Sequence, residues 1–325
     1  MAHPRRARDR VLSCQSRVAT ARNRLVVLVT REPVSHFSRL AYNCMSEMSA
    51  HLAKRGFTTE IFVCPPGGVR SQCRKVEAFV RKNRVFCCVL VSVGKELQQW
   101  FSQHSVPDLV FGSCYSSVKL PSLDVDYRSV CRHAAQVFLR QCHRRIAFVV
   151  PNSDVAGDLA SEQGFKEAFE HRPEKDNARA MIVRHNRSPQ DITGKLDALF
   201  NATFPPTALL VAHPEHVFAA IMYLLSRSLS VPDSVSLIAR DQDYLYDFVS
   251  PAISHYQFEP GAFVRRLLRL ILKLVSEGDL LREPHLIFPT FIEGCTVKPP
   301  PQDPIPPVSR APAPPARARR SVPAS

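Results

Sequence analysis

A chain of 325 residues is long enough to bury two separate cores, and its 45% hydrophobic and 22% charged residues fit a globular protein rather than a disordered or fibrous one. No apolar run approaches the ~20 residues that cross a bilayer, which excludes a membrane-spanning helix and leaves no partner role for a membrane. The net charge of +14 is concentrated at the ends: residues 1–24 hold seven arginines against one aspartate, and residues 297–325 hold Lys298 and four arginines against Asp303. The body is therefore close to balanced, which argues against a basic groove built into the fold.

Residues 1–24 have little helical periodicity and are expected to form a disordered basic arm. Leu25–Val29 reads as a first strand. The following helix repeats apolar residues at Phe37, Leu40, Ala41, Cys44, Met45, Met48 and Leu52, and Gly56 ends it. Strands are expected at 59–63, 85–91 and 109–112, with a turn at Pro65-Pro66-Gly67-Gly68 and a helix over 71–81. Then comes a helix with Val130, Ala134, Val137 and Phe138 on one face, followed by the continuous apolar run Ile146–Val150, a strand covered on both sides. Further strands are expected at 181–183, 208–211 and 236–238, with a helix capped by Ser188 and Pro189 and an apolar helix over 263–274. From Pro299 the chain is Pro/Ala/Arg-rich and is expected to be an extended tail. Alternating strands and helices imply open, mostly parallel α/β sheets.

Chemistry-bearing motifs are scarce. The ten cysteines include no C-x-x-C pair, and several lie in apolar runs as core thiols. There is no Walker loop, G-x-G-x-x-G, G-x-S-x-G or H-E-x-x-H pattern, so neither an enzyme nor a cofactor or metal site is expected. No apolar h-region precedes Leu25, which points to the cytoplasm.

Four stretches in fixed order carry a family resemblance. Asp126-Tyr127-Arg128-Ser129-Val130 leads to His143-Arg144-Arg145-Ile146-Ala147 and then Gly164-Phe165. Pro206–His213, Val231–Asp241 and Ser250-Pro251 with Gln257 follow. The set resembles the effector-binding domains of LacI/GalR-type transcription regulators, whose corresponding forms are D-N-x-x-G, GHRRIA, R-x-x-GF, PTAIFAAND, VPEDVSVIGFDD and SPPLTTVRQ. The resemblance implies a two-lobed periplasmic-binding-protein-like type I fold, α/β, each lobe an open sheet flanked by helices. It implies lobes of 25–142 with 255–285 and of 143–254 with 286–298. The family's helix-turn-helix headpiece cannot fit in 24 residues, so DNA contact is expected only through a module not seen here or weakly through the basic tails.

By the same resemblance a small, sugar-like effector binds between the lobes. Asp241 matches the first aspartate of F-D-D, which accepts ligand hydroxyls; Ser35, His36 and Phe37 occupy the loop after the first strand; Asp126 matches the D of D-N. Asp241 as a loop carboxylate, Phe37 as core and Asp126 as an organiser of the crossover loop remain open alternatives. Three departures alter the pocket: Ser161 stands where the family has arginine, His213-Pro214 where it has Asn-Asp, and Gln242 where it has the second aspartate. Serine cannot replace a planar bidentate donor. Tyr244, Tyr246 and Phe248 are placed toward a partner subunit, implying a homodimer, with packing on their own lobe as the alternative. The expected function is effector sensing for transcription control; a stand-alone binding protein and an enzyme on a related fold are the rivals.

Overall fold

The computed structural model describes residues 24–64, 67–170, 177–278 and 280–302. The expected basic arm up to residue 23, Pro65 and Pro66 of the expected turn, and the tail beyond Gln302 lie outside these residues. The first lobe runs β1 (Leu25–Thr30), α1 (Arg39–Ala53), β2 (Thr58–Val63), α2 (Val69–Asn83), β3 (Cys87–Val91), α3 (Lys95–Gln103), β4 (Asp108–Phe111) and β5 (Ser122–Val125). The second runs α4 (Tyr127–Arg140), β6 (Arg145–Pro151), α5 (Ala156–Glu167), β7 (Arg179–His185), α6 (Pro189–Phe200), β8 (Ala208–Val211), α7 (Pro214–Ser226), β9 (Ser236–Ala239) and β10 (Ser254–Gln257). The chain then returns to the first lobe for α8 (Pro260–Glu277) and β11 (Pro284–Ile287), and closes the second with β12 (Thr290–Ile292).

Each lobe holds a six-stranded sheet, ordered β11-β5-β4-β3-β1-β2 in the first and β12-β10-β9-β8-β6-β7 in the second. All neighbours are parallel except β12 on β10. The order reverses beside β1 in one sheet and beside β6 in the other. The carboxyl ends of strands at such reversals are where open α/β sheets place their ligands.

Local signals explain the elements. Ser38 Oγ, Asp126 Oδ1 and Ser188 Oγ accept backbone N–H groups of Ala41, Ser129 and Asp191, capping α1, α4 and α6. Helix α8 turns Phe263, Val264, Leu267, Leu268, Ile271 and Leu274 into the first-lobe core, against Met45, Met48 and Leu52 of α1. Gly278 ends it in a left-handed conformation, φ 76°. Strands β3, β8 and β9 are buried along their whole length, which accounts for their unbroken apolar runs.

Two readings from the sequence are corrected. Helix α3 and strand β5 were not anticipated, because Lys95–Gln103 is short and polar and Ser122–Val125 includes a buried aspartate. The lobe boundaries also move. The first crossing lies at Val125–Tyr127 rather than Cys142, since α4 buries Val130, Cys131, Ala134 and Phe138 against Ile146, Phe148 and Phe165 of the second lobe. Strand β10 pairs within the second sheet and β11 within the first, so the return crossings fall just after Gln257 and just after Ile287.

Helices α4 and α5 approach closely at Gly164, where an added Cβ would lie 1.9 Å from the carbonyl oxygen of Arg128. Gly164→Ala is expected to cost about 2 kcal/mol or more through backbone displacement and to lower Tm by about 5 °C. An unchanged Tm would contradict this packing.

Candidate functional site

The second lobe gathers its polar side chains at the carboxyl ends of β6, β8 and β9 and the start of α5. Arg240 follows β9 directly and only 3% of its side chain is exposed. Its Nε and one terminal nitrogen donate to Oδ1 and Oδ2 of Asp241, both at 2.9 Å, a bidentate fork. The other terminal nitrogen donates at 3.0 Å to both Asp158 Oδ1 and Ser161 Oγ. The ring of Tyr127 lies 4.4 Å below the guanidinium carbon, a cation–π contact. His213 Nδ1 stands 3.3 Å from Asp241 Oδ2, and its Nε2 is 3.9 Å from Asp158 Oδ1.

The departure at Ser161 is thereby explained. A guanidinium is still present against residue 161, but it reaches there from position 240, where the family motif has phenylalanine. The Ser161 hydroxyl donates a hydrogen bond to the Gly157 carbonyl at 2.8 Å and accepts one from Arg240.

The first lobe contributes Asp124 of β5, which accepts from Ser113 Oγ at 2.5 Å and from the Val125 N–H at 2.8 Å. Burial pushes this carboxyl up to about 6, more strongly than those bonds and Arg240 pull it down. Asp241 and Asp158 shift the other way: burial raises both, but the charge and hydrogen bonds of Arg240 outweigh it and hold them low. The lobes also touch outside the cluster. Tyr115 Oη donates to the Asp154 carbonyl at 2.8 Å, Arg31 pairs with the Asp154 carboxylate at 3.5 Å, and the Arg39 guanidinium lies 4.0 Å from the centre of the Tyr244 ring. A hollow of about 260 Å³ opens beside this bridge, lined by Arg31, Cys64, Gly94 and Glu96 among others.

Of the residues expected at the site, Asp241, Ser161 and His213 come together. Asp126 caps α4, and its backbone N–H donates to the Ile287 carbonyl at 3.0 Å, tying two lobe crossings together. Ser35 and His36 stand exposed on a 3₁₀ turn after β1, with His36 3.8 Å from Glu32, and Phe37 packs on the first-lobe core. Tyr246 is buried in its own lobe beside Phe218 and His255, which corrects its placement at a dimer surface. Tyr244 and Phe248 remain exposed. Sequence reasoning missed Arg240, Asp158, Tyr127 and Asp124. An arginine ending an apolar strand, beside an arginine lost at residue 161, was the available signal.

Behind His213 lie His216 and His185, nearly fully buried, with ring centroids 5.4 Å and 4.3 Å apart in succession. Among the described residues no group of three or more His, Cys, Asp or Glu is arranged to hold a metal ion. Burial, then the neighbouring His213, depresses His216 to about 3 and His185 to about 4.

A model of the periplasmic binding protein-like domain family matches residues 135–297. The chain belongs to this family. Its body is an effector-binding domain of the LacI/GalR type, as the ordered motifs implied. The catabolite control protein A of Priestia megaterium is 25% identical over 203 residues, spanning 60% of this chain and 60% of that relative's length. A putative transcriptional regulator from Yersinia pestis superposes with a TM-score of 0.74 at 18% identity, covering 86% of this chain and all of that one. The structure of a transcriptional regulator CelR–cellobiose complex superposes with a TM-score of 0.71 at 18% identity, covering 91% and 92%. Among the described residues no helix is long and apolar enough to cross a membrane.

His216 and His185, like the buried His143 of the second lobe, make stability depend on pH. The unfolded chain takes up protons near 6.5 that the folded chain refuses until about 3 and 4, so stability is full above that range and falls as pH drops toward 4. Each unit of depression is worth about 1.4 kcal/mol. His216→Gln is expected to make the fall in urea-unfolding free energy between neutral and acid pH shallower by about 2 kcal/mol. An unchanged slope would contradict the assignment.

Proposed function

We propose that the chain is the effector-sensing part of a LacI/GalR-like transcription regulator, not an enzyme, working in the cytoplasm. It takes a small hydroxyl-rich ligand, a sugar or derivative, between its lobes. The observation that carries this reading is the convergence of Asp241, Asp158, Ser161 and His213 around Arg240 at the strand ends, carboxylates, a hydroxyl and an imidazole of the kind that bind hydroxyl groups. The cellobiose named with the CelR neighbour favours the same ligand class. Ligand closing the lobes changes the relation between two subunits, and so the engagement of a DNA-reading module. The exposed Phe248, with Met222 and Leu225 on the outer side of α7, supplies apolar surface for the two-fold contact. The enzyme reading finds no support in the cluster, where the carboxylates are committed to a guanidinium rather than poised beside a nucleophile.

Thermal unfolding against cellobiose, glucose, galactose and ribose tests this. A ligand at 100 times its Kd adds about 2.7 kcal/mol and raises Tm by several degrees, and Asp241→Asn is expected to weaken that response at least tenfold. Silence of the whole panel, for the wild-type chain and for a variant lacking Arg240, would contradict the reading.

A further inference from the structure

Arg240 fills the site it belongs to. Its guanidinium occupies both oxygens of Asp241, one oxygen of Asp158 and the Ser161 hydroxyl, groups that a polyhydroxyl ligand would otherwise use, while Tyr127 covers one face as an aromatic covers a sugar ring. Four of the five N–H donors of an arginine are thus satisfied by the protein itself. Its partners Asp241, Asp158, Ser161 and Tyr127 all follow the first lobe crossing, so the cation is held by the second lobe alone. Asp158 and Asp241 are buried, and the positive charge between them keeps both ionised.

We propose that Arg240 is an internal occupant of the effector site, standing in for a ligand's donors and competing with any ligand that enters. This rests on the reading of the cleft as an effector site and adds how that site is regulated: a hydroxyl-rich ligand gains Asp241 and Asp158 only by displacing the guanidinium. The wild-type chain is therefore a weak responder.

The test compares the wild-type chain with Arg240→Met and with the double variant Arg240→Met/Asp158→Asn. The double variant removes a carboxylate that the first would leave unpaired, so a folding failure of the single variant does not end the experiment. Unfolding with cellobiose, glucose, galactose and ribose is expected to show at least tenfold tighter binding to the variant than to the wild type. A variant that binds a sugar no more tightly than the wild type would overturn the proposal, since Arg240 would then not compete with the ligand. No response of either protein to any sugar would instead overturn the effector reading on which the proposal rests.

Discussion

One buried cation organises the polar strand ends of the second lobe. A guanidinium with its side chain 3% exposed would be costly alone, and two buried carboxylates alone would be costly as well. Fork geometry on Asp241, a third bond to Asp158 and a fourth to Ser161 make the cluster a unit in which no member can be removed without stranding another. The opposite shifts of the carboxyls follow from position. Asp241 and Asp158 touch the cation and stay ionised; Asp124, bonded instead to a hydroxyl and an N–H, is pushed toward the neutral form by burial.

The fold delivers this cluster through strand order. Reversal beside β6 leaves the carboxyl ends of β6 and β8 diverging, and the segments leaving β8 and β9 carry His213 and Arg240-Asp241 into the opening. Helix α5 starts beside it and supplies Asp158 and Ser161 one turn apart. Gly157 leaves room there for Ser113 of the first lobe and for Tyr127 at the crossing, both within 3.5 Å of where a Cβ would project. The lobe crossing and the polar cluster are therefore packed together.

Much of this was legible in the sequence. Buried parallel strands announce themselves as continuous apolar runs, and Ile146–Val150 and Ala208–Val211 were read that way. Lobe membership was harder, because the apolar face of α4 says that the helix is buried but not against which sheet; only packing on Phe148 and Phe165 decides that. At the site, Asp241, Ser161 and His213 were found through motif positions. Arg240 is hidden in the sequence because no single motif position reveals it: the arginine lost at 161 and the arginine gained at 240 make sense only as a pair meeting across 79 residues of sequence. Tyr246 failed as a surface residue for a similar reason: an aromatic next to a loop reads as exposed until Phe218 and His255 are placed around it.

A double-mutant cycle on unfolding free energy measures directly whether Arg240 and its carboxylates act as one unit. With Arg240→Met and Asp241→Asn made singly and together, a coupling of about 2 kcal/mol or more is expected, the double variant being far less destabilised than the sum of the singles. Additivity within about 0.5 kcal/mol would show that the two side chains are independent, and would contradict a cluster acting as a unit.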